Sequence, residues 1–281
     1  MKISVITINY NTNATTISAL KNLKIQEPSL DMELILIDNN SNEKFLPDNL
    51  NGLNINFIQN KHNVGFARAV NQGLKIARGK YILMLNSDLF IQKKVISKLL
   101  NYLEQNENVG IIGPKMIYPS GRIQVSCGRK PSTTRELMRI FKLSKIFAGG
   151  TLIENNLFNR RYFKKVSDVD WVSGGCLLIK KEVIKKIGLL DEQYFFGIED
   201  IDYGYRVRQA GWQVIFYPLA KVIHYHGNSV GGKRSVARLK NELQGIIYFL
   251  EKFKLSSLFG RRIVSLSYSF KIKVLQMLSI K

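Results

Sequence analysis

The sequence predicts an α/β fold built on a parallel sheet covered on both faces. Two observations carry this reading. Short, continuous apolar runs alternate with segments of helical spacing, and strands without polar alternation belong to sheets buried on both sides. Each run also ends in Asn, Asp or Ser, and open α/β sheets bind ligands at the carboxyl ends of their strands. With 281 residues, 45% of them hydrophobic, the chain has ample material for a large core.

The elements follow in order. Residues 2–9 (KISVITIN) form a buried strand that runs into the polar cluster Asn9-Tyr10-Asn11-Thr12-Asn13, followed by a helix to about residue 25. Residues 33–38 (ELILID) repeat the pattern and end at Asp38-Asn39-Asn40-Ser41. Residues 55–58 are a third strand, 64–74 have helical spacing and 81–85 are a fourth strand. Past residue 110 the pattern changes. Residues 113–118 and 121–127 read as short strands or a hairpin. Residues 134–147 read as a basic amphipathic helix, with Leu137, Ile140, Phe141 and Phe147 near one face. Residues 169–180 predict one strand, 200–210 a helix, and 212–217 and 220–223 strands. From about Val236 helical apolar spacing resumes among Lys and Arg. With no internal repeat and no Pro- or Ser-rich linker, the expected organisation is a catalytic-type domain over 1–232, with a basic amphipathic insertion at 129–165. A C-terminal basic helical region covers 233–281.

Charge is the compositional anomaly: 42 Lys and Arg oppose 21 Asp and Glu, a net charge of +21. The segments 129–165 (10 basic, 2 acidic) and 233–281 (11 basic, 2 acidic) hold +17 of it. Nucleic acid and an anionic membrane both attract such a chain. No helix-turn-helix, zinc finger or aromatic RNA-binding motif is present, so nucleic acid is not an expected partner. No run of eighteen apolar residues predicts a spanning helix. The first residues lack the apolar core of a signal peptide, which predicts a cytosolic protein. Two cysteines exclude a disulfide framework.

Several signatures are missing: no G-x-G-x-x-G follows the first strand, and there is no P-loop, C-x-x-C or H-E-x-x-H. The chemistry-bearing residues are acidic and clustered. Asn86-Ser87-Asp88 follows the fourth strand, where Asn86 and Asp88, two residues apart, can face one ligand and offer oxygens to a hard divalent cation. The same triplet also suits an ordinary turn. Phe195-Phe196-Gly197-Ile198-Glu199-Asp200-Ile201-Asp202 sets two aromatics and a glycine before three carboxylates. That suits a walled pocket with a raised carboxylate pKa, as a general base requires, and a helix N-cap equally. His224-Tyr225-His226 closes an apolar strand and offers a metal or phosphate contact.

With these clusters in order, the sequence resembles the inverting family 2 glycosyltransferases of GT-A fold, in particular their bacterial rhamnosyltransferase-like branch. The resemblance rests on Ile6-Thr7-Ile8-Asn9-Tyr10-Asn11, Ile37-Asp38-Asn39-Asn40-Ser41, residues 63–73 and Leu85-Asn86-Ser87-Asp88. It continues through Asp170-Trp171-Val172-Ser173-Gly174-Gly175-Cys176, Leu190-Asp191-Glu192, Glu199-Asp200-Ile201-Asp202 and residues 224–229. It implies a GT-A type Rossmann-like mixed sheet flanked by helices. It further implies that Thr7, Asn9 and Asp38 meet the nucleoside of a dTDP- or UDP-sugar donor. Asn63, Gly65 and Arg68 would shape the nucleotide pocket, with Arg68 near the diphosphate. Asp88 and His224 would hold Mg2+ or Mn2+, with Asn86 in place of the motif's first aspartate. Trp171, Gly174 and Gly175 would line the sugar end, Asp200 would be the catalytic base, and Glu199 would position the acceptor. The implied reaction moves a sugar, L-rhamnose from dTDP-L-rhamnose foremost, to a polyprenyl-diphosphate-linked saccharide in surface polysaccharide synthesis. Galactofuranosyl, glucosyl and N-acetylhexosaminyl transfer stay open. A nucleotidyltransferase is disfavoured because no Gly-rich, basic loop follows the first strand. In this light both basic segments suit helices lying on an anionic membrane, which predicts a protein attached peripherally to the inner face of the cell membrane.

Overall fold

The computed structural model describes residues 2–50, 53–141, 162–225 and 236–279. Most of the predicted basic insertion (142–161), Phe147, and His226-Gly227-Asn228-Ser229 lie outside them.

The predicted alternation is realised at the start of the chain. Strands β1 (Ile3–Asn9), β2 (Met32–Asp38), β3 (Ile55–Gln59) and β4 (Tyr81–Leu85) run parallel, separated by α1 (Asn13–Gln26) and α2 (Phe66–Ile76). After β5 (Leu89–Ile91) and α3 (Val95–Gln105) comes the long β6 (Val109–Ile117). It turns back through the short β7 (Ile123–Gln124) as the predicted hairpin, and β8 (Cys127–Gly128) and α4 (Thr133–Ile140) follow.

The predicted single strand 169–180 is broken. A turn at Ser173-Gly174-Gly175 divides it into β10 (Trp171–Val172), paired with β8, and β11 (Cys176–Lys180), which enters the main sheet. β11 is antiparallel to both β4 and β6 and sits between them, so the sheet is mixed rather than wholly parallel. The two strands predicted at 212–217 and 220–223 are one, β12 (Gln213–His224), with a register shift between Tyr217 and Lys221. The short β9 (Ser167–Asp168) pairs with β12, and the order of the main path is β3-β2-β1-β4-β11-β6-β12-β5.

Side-chain alternation sends each strand's apolar residues to two cores. Ile3, Val5 and Leu83 pack with Leu20 and Leu23 of α1 and Leu99 and Leu103 of α3. Ile6, Ile82 and Ile179 pack on the other face with Val70 of α2, Val183 of α5 (Lys181–Ile187) and Val207 of α6 (Glu199–Gln209).

A third core accounts for the C-terminal helices. α7 (Val236–Lys252) and α8 (Leu258–Ser279) pack on each other and on α4, burying Phe249, Leu250, Val264 and Tyr268 with Ile140. Tyr194 and Ile198, from the segment leading into α6, complete this core. The close approach is enabled by Gly245, where a Cβ would stand 2.7 Å from Ile198 Cγ1. Among the described residues, no helix is long and apolar enough to cross a membrane.

Candidate active site at the carboxyl edge of the sheet

β6 is antiparallel to β11, as is β4, and β12 is parallel to β6. The carboxyl ends of β1, β2, β4, β6 and β12 therefore lie along one edge. That edge gathers Asn9, Asp38, residues 86–88, the 173–175 turn and His224, which are up to 215 positions apart in the chain.

At β1 and β2 the loops are organised by one carboxylate. Asp38 is fully buried and accepts from Asn9 Nδ2 (2.5 Å), Ser41 N (2.9 Å), Ser41 Oγ (2.7 Å) and Gln59 Nε2 (2.7 Å). Burial opposes its charge, but the bonds from Ser41, Asn9 and Gln59 outweigh it and hold the carboxyl below its ordinary value. Asn9 Oδ1 in turn accepts from Thr12 and Thr16, and Thr12 Oγ1, its one proton thus engaged, accepts from Ser87 Oγ at 3.0 Å. The first strand's loop is thereby tied to the 86–88 segment. A second amide network holds the start of α2. Asn63 Oδ1 accepts from Asn39 Nδ2 (2.8 Å) and Gly65 N (2.9 Å), and Phe66 N donates to Phe195 O. Gly65 has φ +86° and faces the Phe195 ring, a conformation and a gap that suit only glycine.

Asp88 and His224 are both buried and adjacent. His224 Nε2 lies 3.0 Å from Asp88 Oδ1, and Nδ1 lies 2.9 Å from Gln124 Oε1. With the Gln124 amide turned to offer its N–H to Nδ1, a neutral ring donates from Nε2 to Asp88, and both ring nitrogens are satisfied. One carboxylate and one imidazole, with the Asn86 amide nearby, fit a divalent cation that completes its shell with phosphate oxygens and water. No cluster of three or more His, Cys, Asp or Glu side chains suited to a metal occurs among the described residues, so the protein's own donor set is sparse.

Asp200 and Asn86 meet the same turn from two sides. Gly174 N donates to Asp200 Oδ2 at 2.9 Å, and Asn86 N donates to Gly175 O at 2.8 Å. Asp200 opens α6, where the positive end of the helix favours a carboxylate. Burial nevertheless raises the Asp200 carboxyl above its usual range. Burial and then the neighbouring Asp200 charge raise Glu199 as well. Glu199 is turned back on its own chain: Oε2 accepts from Gly197 N (2.5 Å) and Ile198 N (3.0 Å), which fixes the turn into α6. Phe195 and Phe196 are exposed rather than closed into a wall. With Gln193 and Tyr194 they line a cavity of about 220 Å³ facing Asn241, Gln244, Gly245 and Tyr248 of α7.

Three further expected contact residues have the following surroundings. Arg68 lies on the outer side of α2 in an exposed ion pair with Glu192 at 3.1 Å. Thr7 is buried, and its Oγ1 has no partner. Trp171 is half-buried, donating its indole N–H to Arg129 O at 3.1 Å.

Two residues absent from the sequence motifs brace α6, the helix that carries Asp200. Gly204, one turn into α6, lies against β10, where a Cβ would stand 2.5 Å from Asp170 O. Only the recurrence of glycine inside a helical pattern hints at this. Lys252 of α7 places Nζ 2.6 Å from Asp191 Oδ2 and 2.6 Å from Asp202 Oδ2. Asp202 is fully buried and also accepts from Arg206 Nε (2.6 Å) and Tyr194 Oη (3.2 Å). No local pattern marks Lys252.

A mixed sheet with acidic and amide residues at the carboxyl ends of its strands is the frame of a GT-A glycosyltransferase. The mannosyltransferase PcManGT from Pyrobaculum calidifontis, solved in complex with GDP-Man and Mn2+, shares this fold with TM-score 0.62 at 13% identity. It covers all of this chain and 81% of that one. The chain belongs to glycosyl transferase family 2, whose pattern matches residues 4–188. It is 26% identical over 194 residues to the N-acetylglucosaminyl-diphospho-decaprenol L-rhamnosyltransferase of Mycobacterium tuberculosis, covering 63% of this chain and 61% of that protein. It thus spans about three fifths of that relative's length. Over 272 residues it is 25% identical to the low-salt glycan biosynthesis hexosyltransferase Agl10 of Haloferax volcanii, covering 95% of this chain and 80% of that one.

Proposed function

We propose that this protein transfers a sugar from a nucleotide-sugar donor to a polyprenyl-diphosphate-linked saccharide with inversion, and that the sugar is L-rhamnose from dTDP-L-rhamnose. The observation that carries the reading is the Asp200 carboxylate, bonded to Gly174 N and separated from Asn86 only by the Gly174-Gly175 turn. The mycobacterial relative, by its name a rhamnosyltransferase acting on a lipid diphosphate, supports the choice of sugar and acceptor.

In this mechanism an acceptor hydroxyl attacks the anomeric carbon as the bond from that carbon to the diphosphate oxygen breaks on the opposite face, and the hydroxyl proton passes to Asp200. A raised pKa suits this task, because a stronger base takes the proton more readily. Gly174 and Gly175 leave room for the sugar beside Asp200 and Asn86. Glu199 helps position the acceptor, while its Oε2 keeps the turn into α6 fixed. Asp88 and His224 would hold Mg2+ or Mn2+, which neutralises charge on the departing diphosphate. Asn9 and the Asp38 network order the loops that meet the nucleoside, and Asn63 and Gly65 shape the neighbouring wall. On this reading the protein works at the cytoplasmic face of the membrane, where a lipid-linked acceptor would be met.

The test is turnover of dTDP-L-rhamnose and of UDP-sugars by purified protein, with Asp200→Asn and Asp88→Ala beside wild type. A loss of 10²–10⁴-fold is expected for Asp200→Asn, the usual contribution of a general base. Full activity in that variant removes the proposed base. Thermal stabilisation by each nucleotide sugar with Mn2+ present identifies the donor, since a ligand of the folded state raises stability by mass action.

A further inference from the structure

The apolar surface that α8 turns away from the protein is unlike an ordinary solvated helix face. Phe259, Leu266, Phe270 and Met277 are 73%, 70%, 63% and 63% exposed. Their spacings of seven, four and seven residues put all four within about 20° of one line along the helix, at roughly 100° per residue. The opposite side carries Val264, Tyr268 and Ile272, buried in the third core, so the outward stripe is not needed for folding. Exposed Arg262 and Lys273 run along one side of the stripe, about 60° and 40° from its line at roughly 100° per residue, and α8 holds four basic residues and no acidic one. Large apolar side chains lined up on a surface mark an interaction site.

We propose that this outward face of α8 seats the protein on an anionic phospholipid leaflet, with the stripe at the boundary between headgroups and acyl chains and Arg262 and Lys273 at the phosphates. The inference deepens the lipid-linked reading above, on which its biological sense rests. An apolar stripe edged by cations is the pattern of a helix lying in a membrane interface, and anionic headgroups complement those cations. Two copies joined stripe to stripe would instead bring like charges together. α8 is also the better candidate of the two basic segments, because the described part of the other turns inward. α4 buries Ile140 in the third core, and its Arg139 pairs with Glu136 and Glu242 and lies over the Tyr268 ring.

The experiment is co-sedimentation of the full chain with phosphatidylcholine vesicles, with and without phosphatidylglycerol. It compares wild type with the pairs Leu266→Ser/Phe270→Ser and Arg262→Glu/Lys273→Glu. Wild type is expected to bind only the anionic vesicles, and each pair to bind at least roughly tenfold more weakly. Both pairs should keep the wild-type melting temperature and turnover with a short-chain, water-soluble acceptor. Equal binding to both vesicle types, or serine variants that bind like wild type, overturns the proposal. So does a wild-type dimer in sedimentation that Leu266→Ser/Phe270→Ser dissolves, which would make the stripe an interface between copies. Lost lipid binding with intact turnover in the variants separates this surface from the catalytic reading. The failure of that reading appears instead as wild type that binds lipid and turns over no nucleotide sugar.

Discussion

Replacing Lys252 by methionine should loosen the frame around Asp200 from a distance. Lys252 Nζ stands 2.6 Å from the carboxylates of both Asp191 and Asp202, and Asp202 has no exposed surface. Methionine keeps the length of the side chain but removes the charge, and with it the ammonium's place over the Tyr194, Tyr248 and Phe253 rings. Removing one partner of a buried ion pair costs about 3–5 kcal/mol when the other charge is left alone. Here Asp202 keeps Arg206 at 2.6 Å, and Asp191 keeps the Tyr248 hydroxyl at 2.9 Å. The Lys252 side chain is also 24% exposed, so about 2–3 kcal/mol is the expected cost. At about 2–4 °C per kcal/mol, calorimetry should find Tm lowered by about 5–10 °C. Turnover should fall with it, because residues 191–202 lead into Asp200, while donor binding should hold. Adding Asp191→Asn should restore part of the stability, since one carboxylate fewer then lacks its cation. A loss below about 1 kcal/mol by denaturant titration would refute the clamp and leave the pair as a screened surface contact.

Turnover should rise with pH through about 6, the value to which burial pushes Asp200, because only the ionised carboxylate accepts a proton; a flat profile from pH 5 to 8 would contradict it. The same raised pKa means that the fold favours protonated Asp200. Its stabilising share is complete below the unfolded carboxylate value near 4 and is lost as pH rises through about 6. Asp200→Asn should therefore stabilise the protein by about 1–2 kcal/mol at pH 8 and by nearly nothing at pH 4, measured by thermal melts. Gly204→Ala drives a Cβ to 2.5 Å from Asp170 O, a backbone atom that cannot step aside, so about 2 kcal/mol of stability and much of kcat should be lost; unchanged kinetics would free α6 from that contact. Thr7→Val removes a buried hydroxyl without a partner and should stabilise by about 1 kcal/mol with donor affinity unchanged. A weaker donor complex would instead assign the hydroxyl to the nucleoside.

The start of the sheet was readable because its strands are continuous apolar runs that end in polar clusters, and those clusters do converge on one edge. The break at Ser173-Gly174-Gly175 was not, since residues 169–180 are β-forming on both sides of it. What divides them is Asp200, 26 positions away, bonding to Gly174 N. The antiparallel insertion of β11 between β4 and β6 is likewise a long-range pairing with no local code. For the same reason the C-terminal helices read as an appendage: their apolar stripe is visible, but the facing Tyr194 and Ile198 lie beside an acidic motif that draws the eye to chemistry. Glu199 was legible as a member of the acidic cluster, but the bonds that its Oε2 accepts from Gly197 N and Ile198 N were not, because they depend on the turn that leads into α6.

The long reach of Lys252 also has a temporal side. It follows Asp202 by 50 residues, so on the ribosome the parallel sheet and the whole carboxylate segment are made first. At about 5–20 residues per second, roughly 3–10 s then pass before Lys252 is synthesised. During that interval Asp202 has Arg206, made four residues after it, but Asp191 and Asp202 lack the shared ammonium that later bridges them. Nascent chains therefore hold the carboxyl edge of the sheet, with β12 in place, before α7 and α8 arrive to close the third core over Tyr194 and Ile198.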